Sequence, residues 1–142
     1  MALGGDAAGW SLFLWEGKPR YHYNFFGIRR YDIVAAEALK PGKHTISLEF
    51  VPDAPKPGVP ANATLTVDGV KAGDVRIDEQ IPMRCGTETM DVGMDCVSPV
   101  CDDYAHLGLF PFSGTIESVT LTLGEGHQPT GMERLELATK MD

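Results

Sequence analysis

Apolar residues in this chain recur at every second position, in short runs separated by turn residues. In residues 44–50, HTISLEF, the side chains of Ile46, Leu48 and Phe50 share one side, with Thr45, Ser47 and Glu49 on the other. That period belongs to a strand with one buried face. In residues 10–15, WSLFLW, both alternate sets are mostly apolar, as expected of a strand covered on both faces. Residues 20–27, RYHYNFFG, put Tyr21, Tyr23 and Phe25 on one side and Arg20, His22, Asn24 and Phe26 on the other. A further strand is predicted over 28–34. The breaks are equally regular. Glu16-Gly17-Lys18-Pro19 and LKPGKH are turns or loops. Asp68-Gly69 inside ATLTVDGVKAG supplies the left-handed positions of a two-residue hairpin turn. VPDAPKPGVPAN is expected to be a surface loop, since proline cannot donate to a ladder. FSGTIESVTLTL, with Ile116, Val119, Leu121 and Leu123, is predicted as a late strand. No long stretch keeps a helical period.

These patterns predict an all-β fold, an antiparallel β-sandwich of jelly-roll type. The 142 residues fit one domain, with a core over about 9–123 and a tail at 124–142. In that tail Leu135 and Leu137 suit a strand, while Met132, Leu135 and Thr139 suit a short C-terminal helix, the favoured reading. A chain of ~150 residues can bury roughly 70% of its unfolded surface, so a core can form without disulfide staples.

Bulk properties restrict the partners. The net charge of −8 argues against nucleic acid and anionic membrane, which select basic patches. No apolar run approaches the ~20 residues of a membrane-spanning helix. The start, MALGGDAAGW, lacks the basic and apolar regions of a secretory signal. With Met1 as a natural start, the chain is expected in the cytoplasm. Cys85, Cys96 and Cys101 are an odd set, which disfavours a disulfide framework. A Cys96–Cys101 bridge, a soft metal site with Cys85 and His106, or free thiols all remain open. Asn62-Ala63-Thr64 matches a glycosylation acceptor, a pattern that also arises by chance.

LEF…ATLTVDG followed by FSGTIESVTL resembles the laminin-G and concanavalin-A-like jelly-roll superfamily. GWSLFLWEGKPRYHYNFFGIRRYDI, LKPGKHTISLEF, TLTVDG, DVGMD…SPV…DY and PFSGTIESVTL together resemble, more closely, the C-terminal region of bacterial arylsulfatases, over about 9–123. In that family an upstream catalytic domain carries a Cys/Ser-x-Pro-x-Arg signature beside a calcium ion. Gln80-Ile81-Pro82-Met83-Arg84 echoes it, but glutamine has no thiol or hydroxyl to oxidise to formylglycine. The resemblance therefore implies a non-catalytic accessory domain, packing on a catalytic domain or on a like subunit, with a homodimer among the options.

The residues offer few chemical alternatives. Arg20, His22, Asn24 and Phe26 form a candidate contact row for a protein domain or a glycan; polar groups would bond hydroxyls while a ring covers a sugar face. Asp91, Asp95, Asp102 and Asp103 could wrap a calcium ion, or cap turns and face water; no complete EF-hand spacing is present. Glu49 and Glu117 are the carboxylates a glycoside-hydrolysing site could use. There is no Gly-x-Ser-x-Gly elbow and no His-Glu-x-x-His. The leading expectation is thus an accessory interaction domain, with an independent carbohydrate-binding module as the alternative and a small hydrolase behind both.

Overall fold

The computed structural model describes residues 1–82 and 88–124. Two antiparallel sheets form a sandwich. The first has five strands in the order β4-β3-β2-β1-β8: β1 (Ala2–Gly4), β2 (Gly9–Trp15), β3 (Lys18–Phe25), β4 (Arg29–Val34) and β8 (Met90–Asp91). The second has three, β5 (Ile46–Pro52), β6 (Ala61–Val67) and β7 (Val70–Ile77), in sequence order. A single short helix, α1 (Asp102–Ala105), occurs among the described residues.

The register explains which side chains meet. Trp10 pairs with Tyr23 and Leu12 with Tyr21 across β2–β3, and Tyr23 and Tyr21 pair with Tyr31 and Ile33 across β3–β4. Partners in an antiparallel ladder share a face, so these residues form one apolar layer. It meets Ala63, Leu65 and Ile77 of the second sheet in the core, with Ile46, Leu48, Ala72 and Val75 packed around it. The tyrosine hydroxyls reach the rim of this core, where Tyr31 accepts from the Glu79 N–H at 3.2 Å and Tyr23 from the Ile81 N–H at 2.9 Å. Those bonds let large rings be buried without stranding their polar ends.

Three hairpin turns need the left-handed region, the first at Glu16 (φ 51°) and Gly17 (φ 77°) between β2 and β3. Asp68 (φ 50°) and Gly69 (φ 80°) close the β6–β7 hairpin as expected. Phe26 (φ 50°) and Gly27 (φ 67°) close β3–β4 in the same way.

Several expectations are corrected. Val51 and Pro52 extend β5 and pair with Asn62 and Ala61, so the proline-rich loop is shorter than its sequence suggests. Pro52 is tolerated because it ends an edge strand, where a missing donor is least costly. β1 and β8, which pair with each other, were not anticipated; three- and two-residue strands are too short to show a period. Residues 113–124 form no strand. They keep the apolar alternation, but among the described residues no neighbouring strand bonds to them. The predicted C-terminal helix lies outside the described residues, apart from residue 124.

Candidate functional site

The face of the five-stranded sheet turned away from the core carries Ser11, Phe13 and Trp15 on β2, Arg20, His22 and Asn24 on β3, and Arg30 and Asp32 on β4. Residues 92–110 lie over it as a third layer. Phe13 meets Tyr104 edge-on with centroids 4.9 Å apart, Phe110 stacks on Tyr104 at 5.1 Å, and Trp15 lies 6.0 Å from Phe110. Val100, Cys101 and Tyr104 are fully buried beneath this cover.

The predicted contact row is therefore not an open surface. His22 and Asn24 are only 2% and 1% exposed. Phe26 is not part of the row; it stands in the β3–β4 turn, stacked edge-on against Phe25. Asn24 ties the chain locally, donating from Nδ2 to the Asp6 carbonyl and accepting the Gly27 N–H at Oδ1, both at 2.8 Å. That bond fixes the turn in which Phe26 sits.

Arg20 and His22 converge on Asp32. The register sets His22 directly opposite Asp32, and His22 Nδ1 lies 2.9 Å from Asp32 Oδ1. Arg20 donates to the same oxygen from Nε at 2.9 Å and Nη2 at 2.7 Å, and from Nη1 to Asp103 at 2.5 Å. Its guanidinium also sits 5.6 Å from the centre of the Phe13 ring. Burial disfavours a charged His22, but the hydrogen bond with Asp32, helped by the neighbouring Cys101, outweighs it and raises its pKa to about 9, while Nε2 is buried without a hydrogen-bond partner. Burial likewise pushes Asp32 up, and the bonds from His22 and Arg20 bring it below the ordinary carboxylate value. The cluster is an internal charge network whose arginine holds the covering layer through Asp103.

The four aspartates suspected of holding calcium are each engaged elsewhere. Asp91 accepts the Cys96 N–H, and Asp95 accepts the Val100 N–H, both at 2.9 Å. Asp95 also accepts the Tyr104 hydroxyl. Asp102 pairs with Arg30 at 2.6 Å, and Asp103 with Arg20. Among the described residues no group of three or more His, Cys, Asp or Glu side chains is placed to hold a metal ion. Cys96 and Cys101 are free thiols; Cys85 lies outside the described residues. The sulfatase echo at 80–84 is described only to Pro82, where Gln80 donates to the Val59 carbonyl. Glu117 is paired with Lys43, and Glu49 projects from edge strand β5.

Among the described residues, large apolar side chains also stand exposed. Three strands cannot cover five. Beyond β5 the core-side face carries Leu3, paired with both Trp10 and Met90. Leu3 and Met90 are both exposed. Phe112, Ile116, Val119, Leu121 and Leu123 are exposed as well, the last at 89%. Alternation places Ile116, Val119, Leu121 and Leu123 in a strand; that no ladder partner pairs with them among the described residues cannot be read from alternation. Comparison with known protein families, curated proteins and solved structures found no match.

Proposed function

We propose that this chain is a non-catalytic interaction domain, an accessory β-sandwich of the kind implied by its resemblance to the arylsulfatase C-terminal region. The observation that supports it is the exposure of Leu3 and Met90 on the flank of the sandwich and of Phe112, Ile116, Val119, Leu121 and Leu123 further along the chain. Large apolar side chains exposed in number are a feature of surfaces that bind other surfaces. Arg20, His22 and Asp32, which could have served chemistry, are bonded to one another and, through Arg20, to Asp103 of the covering layer. A glycan reading gains no support from the sealed Arg20–His22–Asn24 row.

The test is enzymatic. Purified chain incubated with 4-nitrophenyl sulfate and a panel of 4-nitrophenyl glycosides is expected to give no turnover above buffer. Turnover that disappears on chelation, or in His22→Ala, would overturn the proposal.

A further inference from the structure

Residues 114–123 have the character of a strand without its sheet. Val119, Leu121 and Leu123 alternate with Ser118, Thr120 and Thr122, and the apolar set is exposed. Among the described residues no backbone–backbone hydrogen bond reaches residues 113–124. The segment is fastened only near its start. Phe112 donates to the Gly93 carbonyl at 2.7 Å, the Ile116 side chain would just meet a Cβ on Gly93, and Glu117 pairs with Lys43. Lys43 stands immediately before β5.

The sheets offer one receptive edge. Edge strand β7 has a register shift and carries Lys71–Asp74 and Arg76–Asp53 ion pairs. Edge strand β4 presents Arg29, Arg30 and Asp32, and β8 has only two residues. Charge, irregularity and shortness are the usual protections against added strands. β5 is the least protected: it is regularly paired over seven residues, Glu49 is its one charge, Pro52 falls only at its last position, and Phe50 and Val51 are exposed. A strand added beside β5 would also lie toward the exposed Leu3 and Met90.

We infer that residues 114–123 of one copy add to the free edge of β5 in a second copy, giving a strand-exchanged homodimer. This rests on the interaction-domain reading and names its partner. A two-fold arrangement closes the assembly, because each chain gives one strand and receives one. Val119, Leu121 and Leu123 then face inward over the bare flank, and the backbone of each segment gains a ladder partner.

Sedimentation of the full chain from about 1 to 200 µM is expected to show a concentration-dependent dimer. Hydrogen exchange at residues 115–123 should slow in step with dimer fraction. Thr120→Pro removes a ladder donor and Leu121→Lys places a charge in the seam; each is expected to weaken dimerisation at least about tenfold. A synthetic peptide of residues 112–124 should then bind the Thr120→Pro chain one to one. A wild-type chain that stays monomeric overturns the inference, including one whose 115–123 amides are protected within a single copy. So does a dimer indifferent to both substitutions. Either result leaves the absence of turnover standing, so the two proposals fail separately.

Discussion

At the scale of single residues, sealing polar side chains between two layers makes stability depend on their protonation. His22 has a folded pKa of about 9 against an ordinary 6.5. Its contribution is complete below the lower value and is lost as pH rises through the higher one. Asp32 has the opposite sign: its folded pKa is lowered, so its contribution is present above the ordinary value and fades as pH falls through the folded one. Urea unfolding should therefore show a loss of about 1–3 kcal/mol as pH rises from about 6.5 to about 9.5. His22→Gln should lack that step. A wild-type profile flat over this interval would falsify a charged His22. Asn24→Ala leaves the Asp6 carbonyl and Gly27 N–H without their partner, and denaturation should register a cost of about 1–3 kcal/mol.

At the scale of elements, period-two alternation was enough to find β2 through β7, because each is long enough to show it and ends in turn chemistry. Tyr21 and Tyr23 were legible as core for the same reason. The Arg20–His22–Asn24 side was legible as a face, but its cover was not. Residues 92–110 have no period, and they are held by individual pairs such as Arg20–Asp103 and Phe13–Tyr104. Gly73 shows a second limit. A glycine inside a strand has no side chain to pack, and in the sandwich Gly73 permits close approach between β4 and β7. A Cβ there would lie 2.6 Å from Ile33 Cγ2. Ile33 is buried and branched at Cβ, so it has little room to turn away. Gly73→Ala is expected to destabilise by about 1–3 kcal/mol, read as a lower urea midpoint with an unchanged slope. An unchanged midpoint would mean that the sheets sit further apart than described.

At the scale of the whole molecule, the sandwich is better seen as two sheets with a third, irregular layer clamped to one side and a bare flank on the other. The asymmetry follows from how each surface is satisfied. The polar face of the five-stranded sheet is closed by aromatic stacking and two arginine–carboxylate links, Arg20–Asp103 and Arg30–Asp102. Among the described residues no such cover lies over the apolar flank. Cys101 reports on the clamp, because it lies at 1% exposure beside α1 while Cys96 is only partly covered. Native protein treated with a thiol reagent should be modified at Cys96 well before Cys101, with peptide mass analysis assigning the sites. Tyr104→Ala removes the ring that both Phe13 and Phe110 pack on, at a cost of about 3–5 kcal/mol. It should speed Cys101 modification at least about tenfold through local opening of the layer. Tyr104→Phe retains the ring and loses only the Asp95 bond, so it should leave Cys101 slow. If Cys101 reacts as fast as Cys96 in the unaltered chain, the third layer is not closed in solution. The Arg20–His22–Asn24 row would then return as an accessible surface, and the proposed division between a sealed polar side and an interacting apolar side would have to be abandoned.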